Sequence, residues 1–118
     1  LVPSSRAEVE TVSDSEHDAG GLPAETILER LQSLQGWTLD GGKLLKSYRF
    51  PDFVTAVGFV DAVTVIAEEQ NHHPDLSITW GKVTVRLRSH DVDGITGRDF
   101  RLAGAIDALY DSGAGVRA

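Results

Sequence analysis

Residues 51–90, "PDFVTAVGFVDAVTVIAEEQNHHPDLSITWGKVTVRLRSH", decide the fold, because two periodicities meet inside them. Phe53, Ala56, Val57, Val60, Val63 and Ala67 recur at i, i+3/i+4 and i+7, the rhythm of one helical face. Phe59 and Ile66 widen that stripe, as expected of a helix covered on more than one side. Asp52, following Pro51, stands where an N-cap belongs, so the spacing predicts a helix over 52–71. Beyond Pro74 the period changes to two. Leu76, Ile78 and Trp80 alternate with polar residues, Gly81-Lys82 turns the chain, and Val83, Val85 and Leu87 alternate with Thr84, Arg86 and Arg88. That pattern predicts a hairpin with one buried face. Pro74 disfavours helical angles in the residue before it, so the change of direction falls on His72-His73.

Working outward, "LPAETILERLQSLQGW" (22–37) carries Ile27, Leu28, Leu31 and Leu34 at helical spacing, with Pro23 near its start and Gly36 past its end. A helix is expected over 23–35. "WTLDGGKLLKSYRF" (37–50) is a hairpin signal centred on Asp40-Gly41-Gly42. In "DVDGITGRDFRLAGAIDALYDSG" (91–113), Gly94 marks a turn and Thr96 can cap a last helix. Phe100, Leu102, Ala103, Ile106, Ala108 and Leu109 supply that helix's apolar side. The order α-β-β-α-β-β-α predicts an α+β, two-layer domain, with a four-stranded antiparallel sheet and three helices packed on one face. The other face would stay open unless a second subunit covered it, so a homo-oligomer is expected.

A chain of 118 residues, 41% hydrophobic, fits one such domain, placed at 22–118. Residues 1–21 hold five acids against Arg6 alone and end in Gly20-Gly21, the composition of a disordered acidic arm. An opening at Leu1 reads as either a vector-derived remnant or a trimmed product. The arm holds −4 of the net charge of −7, and the body is only mildly acidic. Without clustered cations, direct nucleic-acid binding is not expected. No apolar run approaches the ~20 residues of a membrane span, and no targeting segment is visible, so a cytoplasmic protein without a membrane partner is expected. The absence of cysteine excludes disulfides, thiolate metal sites and cysteine nucleophiles. "GGK" at 41–43 lacks the spacing of a phosphate loop, and no nucleophile elbow is present.

Chemistry concentrates at the corner. Of four histidines, two are adjacent, His72 and His73, and His90 ends the strand that completes the second hairpin. If that strand lies beside the one beginning at Asp75, all three imidazoles share one edge of the sheet. Glu68 precedes His72 by one helical turn and is expected to hold it. Imidazoles give and take protons near neutral pH, so this is acid–base equipment. The alternatives are histidines that merely cap a helix, and a metal site completed by Glu68, Asp75 or Asp91. The second is disfavoured because neighbouring helical residues point about 100° apart. Arg86 and Arg88 read as a solvated strand face rather than an anion clamp, and Trp80 as a core or subunit-contact aromatic rather than a stacking platform.

The stretch "AEEQNHHPDLSITWGKVTVRLRSHDVDGITGRDFRLA" resembles the signature of the pterin-4a-carbinolamine dehydratases through Glu68, His72, His73, Pro74, Trp80, His90, Gly94 and Asp99. The likeness extends upstream through Gly36-Trp37, Phe50 to Phe53 and Gly58-Phe59, and so spans about 22–112. The resemblance implies a dimer or tetramer of small α+β domains. It implies dehydration of 4a-hydroxytetrahydropterin to quinonoid dihydropterin, which restores the pterin cofactor of aromatic amino acid hydroxylases. No metal or organic cofactor is expected, and the partner is a small-molecule pterin. Carried over residue by residue, it makes His72, His73 and His90 catalytic, with His72 on the N5 side and His90 facing the hydroxyl. Glu68 then orients His72, Asp99 supports the site more remotely, and Pro74, Asp75, Arg88 and Ser89 lie against the substrate. Leu76, where animal members tend to carry an aromatic, and Arg88-Ser89, where they tend to carry small hydroxyl residues, leave the pterin side chain open. The other reading is a non-catalytic relative, acting in assembly or as a transcription coactivator through protein contacts.

Overall fold

The computed structural model describes residues 21–113. The acidic arm expected over 1–21 therefore lies outside the described residues, Gly21 excepted. In chain order the elements are α1 (Ala24–Leu31), β1 (Thr38–Asp40), β2 (Lys43–Arg49), α2 (Phe53–Gln70), β3 (Asp75–Thr79), β4 (Lys82–Leu87) and α3 (Gly97–Ser112). This is the α-β-β-α-β-β-α order that the periodicities predict.

Helix α1 stops four residues short of its expected end. Gln32, Ser33 and Leu34 donate their N–H groups three residues back, to Glu29, Arg30 and Leu31, so the apolar spacing continues into tight turns. The hairpin after it closes on Gly41 and Gly42 at φ +59° and +80°, with Asp40 paired to Lys43. Two successive positive φ angles give a hairpin turn whose twist matches the flanking strands.

Helix α2 begins as its sequence indicates, with the Asp52 carboxylate accepting from Thr55 N at 2.8 Å. It ends on Asn71 in the left-handed conformation, φ 51°, where the N–H groups of Asn71 and His72 return to Glu68 and Ala67. Asn71 thus terminates the helix before Pro74 can, a C-cap a short polar side chain tolerates. At the start of α3, Thr96 and Asp99 form a capping box.

The strands make one antiparallel sheet in the order β1-β2-β4-β3. Leu44 and Tyr48 on β2, with Val83, Val85 and Leu87 on β4, face the helices and are buried. Phe59 and Val63 of α2 and Leu102 and Ile106 of α3 meet them with no exposed surface. Phe59 lies 5.0 Å from the rings of both Tyr48 and Phe50, and burying such a side chain stabilises by about 1.5–3 kcal/mol. On the opposite face Ser47, Thr84 and Ser77 stand in register across three strands, with Ser47 and Thr84 hydrogen-bonded at 3.0 Å. That face carries hydroxyls and charges, so the core lies only between sheet and helices.

Candidate active site

The corner after α2 separates the two adjacent histidines. His72 is 7% exposed and turns inward, while His73 faces solvent. Alternation through the turn produces this split: His73 falls on the side of Asp75, which looks outward, and His72 on the side of the core. The pairing of β3 with β4 sets Asp75 opposite Arg86, and continuing that register brings His72 level with Ser89. His90, the next residue, is exposed at the same edge of the sheet. The common edge expected from sequence is present.

Each of the adjacent imidazoles has its own carboxylate, and the pairing differs from expectation. Glu68 Oε2 lies 2.7 Å from His73 Nε2, and both side chains are largely exposed. The i, i+4 relation to His72 fails because the chain leaves the helix at Asn71. His72 swings toward α3, where its Nε2 lies 2.6 Å from Asp99 Oδ1. Asp99 is therefore a direct partner of a histidine rather than a remote support. Its other oxygen, Oδ2, accepts from Ser89 Oγ and from Thr96 N, each at 2.9 Å. Ser89 Oγ also meets Thr96 Oγ1 at 2.8 Å. Asp99, Ser89 and Thr96 are all fully buried, so three donors compensate the desolvation of this carboxylate.

Ser89, expected against the substrate, is thus turned inward and braces Asp99. Pro74 is half-buried at the start of β3, and Asp75 faces the outer side of the sheet, 3.2 Å from Lys43 Nζ. Arg88 is paired with Asp93, and its Nε is buried without a partner among the described residues. Trp80 is 70% exposed at the turn between β3 and β4, so it is not a core residue. Seven positions from His73 along an extended chain place it roughly 20 Å away, too far to stack on a ligand held at the histidines. Among the described residues no three His, Asp or Glu side chains are grouped to hold a metal ion.

Thr96 is the residue whose place here the sequence did not reveal beyond its role as a cap. Its hydroxyl and backbone N–H join the cap of α3 to the histidine corner. The only signal was the spacing Thr96-x-x-Asp99, which reads equally as an ordinary capping box.

Chemically, a neutral imidazole that donates Nε2–H to a carboxylate leaves its lone pair on Nδ1. The contacts of His72 and His73 through Nε2 are compatible with this tautomer. His90 makes no side-chain hydrogen bond among the described residues. Two imidazoles held by carboxylates and a third without a side-chain partner thus stand at one edge of the sheet.

Residues 20–109 match the family described as Pterin 4 alpha carbinolamine dehydratase. A protein of Roseiflexus castenholzii, named as a candidate pterin-4-alpha-carbinolamine dehydratase, is 47% identical over 83 residues, covering 70% of this chain and 89% of its own. One from Paracidovorax citrulli with the same name is 42% identical over 99 residues, covering 80% and 85%. The crystal structure of a transcriptional coactivator/pterin dehydratase from Brucella melitensis superposes with a TM-score of 0.71 at 32% identity, over 75% of this chain and 97% of that one. A pterin dehydratase-like RuBisCO assembly factor of the alpha-carboxysome shares the fold, with a TM-score of 0.55 at 23% identity, over 64% and 89%.

Proposed function

This chain belongs to the pterin 4 alpha carbinolamine dehydratase family, and on that premise we propose that it removes water from 4a-hydroxytetrahydropterin by histidine acid–base catalysis. The observation that carries the reading is the pair of carboxylate–imidazole contacts, Glu68–His73 and Asp99–His72, at the edge that also bears His90. The reaction breaks the C4a–O bond and the N5–H bond and forms the C4a=N5 double bond. One group must take the N5 proton and another must protonate the departing hydroxyl, and each transfer contributes about 10²–10⁴-fold. The N5 lone pair expels the leaving group, so no covalent intermediate with the protein is needed.

An imidazole whose Nε2–H is fixed on a carboxylate presents Nδ1 as a base, so His72 or His73 takes the N5 proton. His90, unrestrained by a carboxylate, delivers a proton to the hydroxyl. Exposure favours His73 over His72 as the ring the pterin meets first, with His72 lining the inner wall. Arg88, Asp75 and Pro74 border this edge and remain candidates for pterin contacts. The quinonoid dihydropterin so formed is the form a reductase would return to the tetrahydro cofactor of aromatic amino acid hydroxylases. Exchange of His72, His73 and His90 for Ala, one at a time, tests the assignment. Loss of about 10²-fold or more in kcat at His73 is expected, and a rate equal to wild type in all three variants overturns it.

A second reading, action through protein contacts, is favoured by the outer side of α2. Val54 there is 79% exposed and Val65 58%, with Asp61 exposed between them. A homodimer or homotetramer is part of this proposal, with Val54 and Val65 set against a second copy. Sedimentation of the chain with Val54→Glu and Val65→Glu checks this: a monomer is expected, and an unchanged oligomer rejects this surface. No helix among the described residues is long and apolar enough to cross a membrane.

A further inference from the structure

The position of His90 is set by the loop that carries it, since the ring has no hydrogen-bond partner among the described residues. The loop spans Ser89 to Gly94. Its ends are fastened by Ser89 N to Gly94 O at 2.7 Å and Gly94 N to Ser89 O at 3.2 Å. Inside it the bonds are long: Val92 N to Ser89 O and Asp93 N to His90 O are both 3.3 Å. Asp93 takes a positive φ of 52°. Backbone bonding alone therefore leaves the turn bearing His90 weakly defined.

Two arginines outside the loop hold its two acids. Arg88 pairs with Asp93, and Arg98, in the first turn of α3, donates Nη2 to Asp91 Oδ1 at 2.8 Å. Arg98 does more than form a surface pair. Its Nε also points to Thr96 Oγ1 at 3.3 Å, and Thr96 bonds both Ser89 and Asp99, the latter holding His72. A single guanidinium thus connects the residue beside His90 to the group that orients His72. The planar fork of arginine makes both contacts from one rigid unit, which a lysine cannot reproduce.

We propose that Arg98, through Asp91 and Thr96, is a positioning residue that fixes His90 relative to His72 for proton transfer. This rests on the dehydratase reading above. An exposed ion pair of this kind adds little to stability, so its loss spares the fold. Misplacing a catalytic group by about 1 Å can nevertheless cost as much as 10²-fold in rate.

The test compares wild type with Arg98→Gln, Arg98→Lys, Asp91→Asn and the double variant Arg98→Gln/Asp91→Asn. Dehydration kinetics and ¹⁵N relaxation of the 89–94 amides are measured on each full chain. Arg98→Gln is expected to lower kcat about tenfold with KM changed less than about twofold, and Asp91→Asn to do the same. The double variant should be no slower than Arg98→Gln alone, because both remove one connection. Arg98→Lys should recover part of the rate, and order parameters at His90–Asp93 should fall in the two Gln and Asn variants. Additive losses, or a raised KM at constant kcat, overturn the proposal, the latter by making Arg98 a substrate contact. Unchanged loop order in Arg98→Gln overturns it as well, whatever the activity. A wild type that does not accelerate dehydration refutes the enzyme reading instead, and the relaxation data still decide whether Arg98 holds the loop.

Discussion

Of the three aspartates on helix α3, two that stand eight residues apart, Asp99 and Asp107, are built alike and lie in different kinds of site. Asp99 accepts from His72, Ser89 Oγ and Thr96 N. Asp107, about 12 Å further along the helix, accepts from Trp37 Nε1 at 3.0 Å, Lys46 Nζ at 2.7 Å and Tyr48 OH at 2.5 Å. Each carboxylate gathers three donors, all distant in the chain at Asp107 and one of them the local Thr96 N at Asp99, and each ties α3 to the sheet side. The difference lies in what the donors do next. At Asp107 they end in side chains packed into the core, with the Lys46 ammonium 4.9 Å from the centre of the Tyr48 ring. At Asp99 one donor is an imidazole with a second nitrogen left over, next to two exposed imidazoles. A saturated carboxylate is therefore no sign of a site; a donor with unused proton capacity beside it is.

The sharpest way to break this comparison is to neutralise each aspartate. Asp99→Asn replaces an acceptor-only group with an amide that cannot hold His72, Ser89 and Thr96 N together. A fall of about 10²–10³-fold in dehydration rate is expected, with about 1–3 kcal/mol lost from unfolding stability as buried donors lose their acceptor. Urea melts and steady-state kinetics of one preparation measure both. Asp107→Asn should lower stability by about 1–3 kcal/mol and leave kcat within about twofold of wild type. A comparable rate loss there would erase the distinction.

Glu68→Gln sharpens the contrast from the exposed side. The Glu68–His73 pair is solvent-screened, so the melt should not move measurably, whereas the rate should fall about tenfold if the carboxylate sets the tautomer of His73. The smallest effect concerns Tyr48. Burial, followed by the hydrogen bond from its hydroxyl to Asp107, pushes its phenol well above the ordinary tyrosine range. Such a group stays protonated in the folded state while the unfolded chain ionises near pH ~10. Its contribution to stability is complete below that pH and declines as pH rises. Denaturant melts between pH 9 and 11 should show this decline in wild type and a shallower one in Tyr48→Phe.

How far the sequence could be read follows the range of the interactions. Elements held by neighbours in the chain were legible: α2 from its apolar stripe and Asp52 cap, α3 from Thr96, and both hairpins from their glycines and alternation. Helix α1 came out shorter because Leu34 keeps the spacing of a helix while its backbone has tightened into turns. Pairings between distant residues were not legible. Glu68 looked like the partner of His72 only as long as the helix was imagined to continue. Asn71 in the left-handed conformation redirects both imidazoles. Asp99 lies 27 residues from His72, and the Trp37–Lys46–Tyr48–Asp107 cluster joins residues up to 70 apart, separations at which periodicity carries no signal. Trp80 shows the same limit: alternation placed it on the buried face, but the chain has already entered the turn there.

The most direct measurement is stopped-flow absorbance of chemically generated 4a-hydroxytetrahydropterin, with wild type and His73→Ala side by side. The expected result is decay faster than the spontaneous reaction with wild type, reduced about 10²-fold in the variant while its melt is unchanged. Decay at the spontaneous rate with folded wild type would contradict a dehydratase and favour action through protein contacts.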